Sequence, residues 1–110
     1  MSQDRPTVST HVLDLAAGTP RPGIRVRLRR ADGEGGTPIV GEGRTDGDGR
    51  IRDLLGGKRL EAGAYRLEFA LDPDGFFTGL AIELRVDDAD RSYHVPLLLA
   101  PFGLTTYRGS

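Results

Sequence analysis

Two histidines, His11 and His94, are the side chains of this chain that titrate near neutral pH without help from their surroundings. Each sits in a strand-like run, His11 in VSTHVLDL and His94 in YHVPLLLA. Two further groups accompany them. Arg50 follows the tight turn Asp46-Gly47-Asp48-Gly49, and the chain closes on Tyr107-Arg108-Gly109-Ser110 with a hydroxyl and a carboxylate at its last residue. A guanidinium stays charged and grips oxygens in pairs. An imidazole can take a proton from water. Two imidazoles, an arginine and a terminal hydroxyl with its carboxylate therefore suit attack of water on a polarised carbonyl. The plainer reading of either histidine is a core or interface residue that satisfies one hydrogen bond.

Other chemistries find no support. There is no cysteine, hence no thiolate nucleophile, thiolate metal site or disulfide. No Gly-x-Ser-x-Gly turn presents a nucleophilic serine, and no glycine-rich phosphate loop occurs. Nothing marks a third ligand that would make two histidines a zinc site. Asp46-Gly47-Asp48-Gly49 opens like a calcium loop but lacks the closing glutamate and flanking helices. A net charge of -1 and a pI near 6.1 give no bulk attraction to nucleic acid or anionic membrane. The start MSQDRPTVST has no apolar signal-peptide core, and no run approaches the roughly 20 apolar residues of a membrane span. A soluble, cytoplasmic protein is the expectation.

The elements that must carry these groups read as short strands. Sixteen glycines and seven prolines in 110 residues punctuate the chain too closely for long helices. Residues 1–6 are expected to be a flexible N-terminus and 7–110 one domain. In the first strand His11 shares a face with Leu13 and Leu15, opposite Thr10, Val12 and Asp14. Ile24, Val26 and Leu28 make a dry face against Arg25, Arg27 and Arg29, whose row reads as solvated. Asp32 to Gly36 is a glycine-rich loop, and the Asp-Gly turn at 46–49 reads as a hairpin. Leu54 to Gly63 is loop-like. Tyr65, Leu67, Phe69 and Leu71 face inward, as do Leu80, Ile82, Leu84 and Val86. Asp72 to Gly75 is a turn.

In the last arm Tyr93, Val95, Leu97 and Leu99 oppose His94, Pro96, Leu98 and Ala100. Pro96 points to an edge strand or a bulge. Apolar residues on both faces predict burial on both, and so a subunit interface. Seven or eight such strands make an all-β, two-sheet β-sandwich. A sandwich can bring its terminal strands, and with them the two histidines, together.

Four stretches, THVLDLAAGTPRPGIRVRL (10–28), TDGDGRI (45–51), GAYRLEF (63–69) and YHVPLLLAPFGLTTYRGS (93–110), together resemble the 5-hydroxyisourate hydrolases of the transthyretin-like family. The resemblance implies a transthyretin-like (prealbumin-like) sandwich assembled as a homotetramer, a dimer of dimers, with sites at the dimer–dimer interface. It implies hydrolysis of 5-hydroxyisourate to 2-oxo-4-hydroxy-4-carboxy-5-ureidoimidazoline in urate breakdown, without metal or organic cofactor. The positions matching the family's catalytic residues are His11, Arg50, His94 and Ser110. Arg50, Leu98, Tyr107, Arg108, Gly109 and Ser110 would contact substrate. Which histidine is the base is left open. The related carrier transthyretin shares the fold without this set, so a small-molecule carrier is the alternative. Three departures stand out: Leu99-Ala100-Pro101 for Leu-Ser-Pro, Leu104-Thr105-Thr106-Tyr107 for Tyr-Ser-Thr-Tyr, and Phe76-Phe77-Thr78 for Phe-Phe-Pro. The family's short helix has no room between Phe69 and Phe76, where a turn near 70–75 is expected.

Overall fold

Where apolar and polar residues alternate, the chain is extended, and the alternation decides which side of each strand is dry. The computed structural model describes residues 5–31 and 37–109. Most of the expected flexible N-terminus, the glycine-rich loop at 32–36 and Ser110 lie outside the described residues. Within them are nine strands and no helix: β1 (Val8–Asp14), β2 (Thr19–Pro20), β3 (Arg25–Arg30), β4 (Ile39–Arg44), β5 (Arg50–Ile51), β6 (Gly63–Ala70), β7 (Gly79–Val86), β8 (Tyr93–Ala100) and β9 (Gly103–Thr106). Two of these, β2 and β5, are only two residues long, which leaves seven longer strands, as the spacing predicts. No helix of the described residues is long and apolar enough to cross a membrane.

The strands form two sheets. One runs β2-β1-β8-β9, with β5 also on β1; the other runs β4-β3-β6-β7. Their dry faces meet. Val8, Thr10 and Val12 of β1 and Val95, Leu97 and Leu99 of β8 are buried, as are Val26 and Leu28 of β3 and Tyr65, Leu67 and Phe69 of β6. Each fully buried leucine or valine contributes about 1.5–3 kcal/mol. Thr10, the polar member of this layer, donates its hydroxyl to the Val95 carbonyl at 2.6 Å and so leaves no unpaired group. The residues between β5 and β6 add more apolar surface than a loop reading predicts. Leu54, Leu55 and Leu60 are all buried, and a side chain at Gly41 of β4 would collide with the Leu54 carbonyl.

Strands from opposite ends of the chain are neighbours. β1 pairs with β8 in parallel, Ser9 opposite His94 and His11 opposite Pro96. Pro96 is therefore neither at an edge nor at a bulge, because β8 is flanked by β1 and β9. The β8–β9 pairing runs from Leu97↔Thr106 to Ala100↔Gly103, and the same register reappears at the His94↔Gly109 bridge. The ladder simply lapses beside the proline, whose carbonyl accepts from the Thr106 hydroxyl at 2.8 Å.

The Asp-Gly turn at 46–49 is tight, but it does not join neighbouring strands. β4 lies in one sheet and β5 in the other, so this turn carries the chain across the sandwich. Hairpin chemistry gives the reversal; which strands flank it is decided by packing further away. The turn expected near 70–75 is present, closed by Gly75 N–H donating to the Asp72 carbonyl at 3.0 Å, with Leu71 N–H to Thr78 O beneath it.

Candidate active site

The outer face of the β1-containing sheet collects the groups singled out by chemistry. His11 on β1 lies opposite Arg50 on β5, and His94 on β8 lies opposite Ser9, two residues before His11. With strands about 4.8 Å apart, three neighbouring strands present these four side chains to one side. A depression of about 330 Å³ is lined by Ser9, Thr10, Arg50, Ile51, Arg52 and His94.

The segment Thr45–Gly49 sets the position of Arg50, which lines that depression. Thr45 is buried and anchors the segment: its hydroxyl donates to the Arg21 carbonyl at 2.6 Å and accepts from Ile24 N–H at 2.9 Å. The Asp46 carboxylate accepts from the N–H groups of Asp48 and Arg50, both at 2.9 Å. The Arg50 N–H bond, above all, holds that carboxyl below the usual aspartate range. Gly49 adopts φ +78° and fits against β1 where a Cβ would collide with the Val12 carbonyl. Its own carbonyl accepts from Val12 N–H at 2.7 Å. Arg50 is thereby delivered beside His11. No carboxylate of the described residues forms an ion pair with Arg50 or Arg52.

The Asp48 carbonyl lies 2.9 Å from His11 Nε2. A carbonyl oxygen only accepts, so Nε2 is assigned the hydrogen, and Nδ1 of the neutral ring keeps its lone pair. His94 is held differently. Its Nδ1 is 2.8 Å from the Ser9 hydroxyl. On the ring's opposite edge a Cβ on Gly109 would come within 2.7 Å of Cδ2. The Gly109 N–H also donates to the His94 carbonyl at 2.7 Å. With one ring edge against Ser9 and the other against Gly109, the ring's Nε2 end is what remains to project. Burial first, then the charges of Arg50 and His11, pushes the His94 pKa below the ordinary histidine value. The ring is therefore neutral at pH 7.

The remaining candidates divide. Leu98 lies on the same outer face, opposite Leu13, and Gly109 touches His94. Tyr107 and Arg108 are not brought to the imidazoles within one chain. The Arg108 guanidinium stacks 4.9 Å from the centre of the Tyr93 ring, and both residues line an inter-sheet crevice with Ile82, Leu84 and Val86 of β7. Ser110 lies outside the described residues. Sequence reasoning passed over Ser9 and the Asp48 carbonyl. Period-two spacing does place Ser9 on the His11 face, but only the parallel β1–β8 register puts it on His94.

The fold and this outward-facing set define a transthyretin-like sandwich bearing a histidine–arginine site. The chain matches the HIUase/Transthyretin family over residues 8–109, and it belongs to that family. Among its relatives is the 5-hydroxyisourate hydrolase of Caulobacter vibrioides, 44% identical over 115 residues, covering 94% of this chain and 97% of the relative. The solved 5-hydroxyisourate hydrolase of Klebsiella pneumoniae superposes with a TM-score of 0.80 at 35% identity, covering 96% of this chain and 99% of that one. Transthyretin from Sparus aurata superposes with a TM-score of 0.85 at 26% identity, covering 96% and 97%. Backbone likeness thus does not separate the hydrolase from the transthyretin; side chains must.

Proposed function

We propose that this protein hydrolyses 5-hydroxyisourate by histidine-assisted attack of water on the ring lactam. The observation that carries the reading is the convergence on one open face of His11, His94 and an arginine that no carboxylate of the described residues ion-pairs. A carrier needs no such set. The water oxygen bonds to the lactam carbonyl carbon while its proton passes to an imidazole. The ring C–N bond then breaks, the nitrogen takes a proton, and a carboxylate is left. Arg50, always charged, grips the oxygen on which negative charge grows. Leu98 and Pro96 supply dry wall. Gly109, anchored through Arg108 on Tyr93, keeps the His94 ring in place.

The depression on one chain is open to solvent, whereas such electrostatic work is strongest where water is excluded. A homotetramer, a dimer of dimers, in which a second subunit covers the outer face of the β1–β8 sheet would close it. The apolar Leu13 and Leu98 beside the imidazoles suit such a contact. The test is direct. 5-Hydroxyisourate generated from urate in situ should lose its absorbance faster with the protein than without it. An unchanged decay would remove the enzyme reading and leave the carrier.

A further inference from the structure

Ser9 was no part of the expected site, yet its hydroxyl has one partner among the described residues, His94 Nδ1 at 2.8 Å. We infer that Ser9 is a positioning residue whose hydroxyl donates to His94 Nδ1, fixing the neutral ring with its hydrogen on Nε2. This inference rests on the hydrolase reading only for its kinetic consequences.

The argument is one of hydrogen-bond accounting. A hydroxyl has one hydrogen to place, and an imidazole in its neutral form has one nitrogen that donates and one that accepts. If the ring donated from Nδ1, the Ser9 hydrogen would have no acceptor among the described residues. If Ser9 donates, both groups are satisfied, and Nε2–H is left at the end of the ring not covered by Ser9 or Gly109. His11 is set the opposite way. Its Nε2–H is committed to the Asp48 carbonyl, so its free nitrogen is Nδ1, with a lone pair.

The two imidazoles are thus made complementary by their neighbours. His11 Nδ1 accepts the proton from attacking water and returns it to the departing ring nitrogen. His94 Nε2–H gives a hydrogen bond, not its proton, to the carbonyl oxygen as that oxygen becomes negative, alongside Arg50. A neutral imidazole can act in this way as an electrophile. The depressed pKa of His94 agrees with a ring that stays neutral. The charged and titratable groups facing it are His11 from β1, Arg50 from β5 and Arg52 just after it. Arg108, next to Gly109, turns its charge to Tyr93.

The test uses the full chain labelled with ¹⁵N-histidine at about pH 8, where a histidine of ordinary pKa is neutral. The ring nitrogen shifts of His94 should report Nε2–H in the wild type. In Ser9→Ala that single tautomer should give way to a mixture, and in Ser9→Thr, which keeps the hydroxyl, it should persist. Ser9→Ala should also lower kcat roughly ten-fold, the scale of one hydrogen bond, with KM nearly unchanged, and Ser9→Thr should restore most of it. A merely structural serine would lower the melting temperature without moving the tautomer. An Nδ1–H signal for His94 in the wild type, or identical spectra in Ser9→Ala, would overturn the inference. Ser9-dependent spectra in a protein without hydrolase activity would uphold the link to His94 and remove the hydrolase reading alone.

Discussion

Both sheets turn arginines outward, and the two faces use them differently. On the β4-β3-β6-β7 sheet, Arg25 and Arg27 of β3 meet Glu42 of β4, at 2.9 and 3.5 Å. Arg29 meets Glu68 of β6 at 2.8 Å, and Arg66 meets Glu83 of β7 at 3.1 Å. Those cations are neutralised in place, cross-strand, in the ordinary manner of a sheet surface. The row read from sequence as solvated is in fact largely paired. On the other sheet, Arg50 of β5 and Arg52 just after it form no such ion pair among the described residues, although their charges help to lower the Asp46 pKa, and two imidazoles stand beside Arg50. A guanidinium without a carboxylate partner, beside a neutral histidine, is free for the oxygens of a visiting molecule. The sequence pattern is the same in both places; what differs is the strand alongside.

The comparison breaks hardest at the imidazoles. His11→Ala should lower turnover by about 10²–10⁴-fold, the range of general-base help, while the fold, whose core does not include that side chain, survives. Arg50→Ala should cost at least ~100-fold in kcat, as loss of one oxyanion-stabilising donor does. Arg66→Ala, an arginine of the paired sheet, should leave kcat where it was. Steady-state assays of the three variants decide the matter. Comparable activity in Arg50→Ala and Arg66→Ala would mean that the unpaired arginine has no special role.

Much of this division was legible before the structure, and its limits are instructive. Alternation located β3, β6, β7 and β8, since apolar faces must meet another layer, but gave no reading of β4 over Ile39–Arg44. It also set His11 apart from the buried Val8, Thr10 and Val12. What one sequence cannot carry is which strands lie side by side. The parallel pairing of β1 with β8 joins residues 85 apart, Ser9 and His94, and no local pattern encodes it. The same gap explains Pro96 and the turn at 46–49. Each was read correctly for its local conformation, a missing donor and a tight reversal, and misread for its neighbours. Leu54, Leu55 and Leu60 were passed over because buried loops show no period. His11, His94 and Arg50 came from their chemistry and the further contact residues from motif resemblance, while Ser9 and the Asp48 carbonyl needed the register.

A finer test concerns how the Arg50 charge is felt. His94 is held below the ordinary histidine pKa by burial, and after that by Arg50 and His11. Its proton therefore binds only below the usual value of about 6.5. Activity should fall as pH drops through that lower midpoint, because a protonated His94 adds a second positive charge beside Arg50. Removing the guanidinium removes one of the repulsive contributions, so in Arg50→Ala the His94 midpoint should move upward. An NMR titration of His94 reads this even if the variant is inactive. No upward movement would mean that the arginine and the imidazole do not share a field, and the outer face would not be one site.

The smallest effect belongs to the paired sheet. Arg29 and Glu68 are the most enclosed of its cross-strand pairs, with side chains 23% and 32% exposed and 2.8 Å between Nε and Oε1. Arg29 also donates to the Thr37 carbonyl at 2.9 Å. Single substitutions to alanine would remove that second bond and packing of the side-chain stems as well as the ion pair, so neither alone measures the pair. A double-mutant cycle over Arg29→Ala and Glu68→Ala isolates it. Partly exposed pairs of this kind couple by about 0.2–1 kcal/mol. The expected coupling, from denaturant unfolding of the four proteins, lies in that range and shrinks with added salt, because exposed charges are screened. Hydrolysis of 5-hydroxyisourate should be the same in all four, since the pair faces away from the imidazoles across the thickness of the sandwich. Altered turnover in the cycle would place the paired arginines in contact with the chemistry and end the distinction between the two faces.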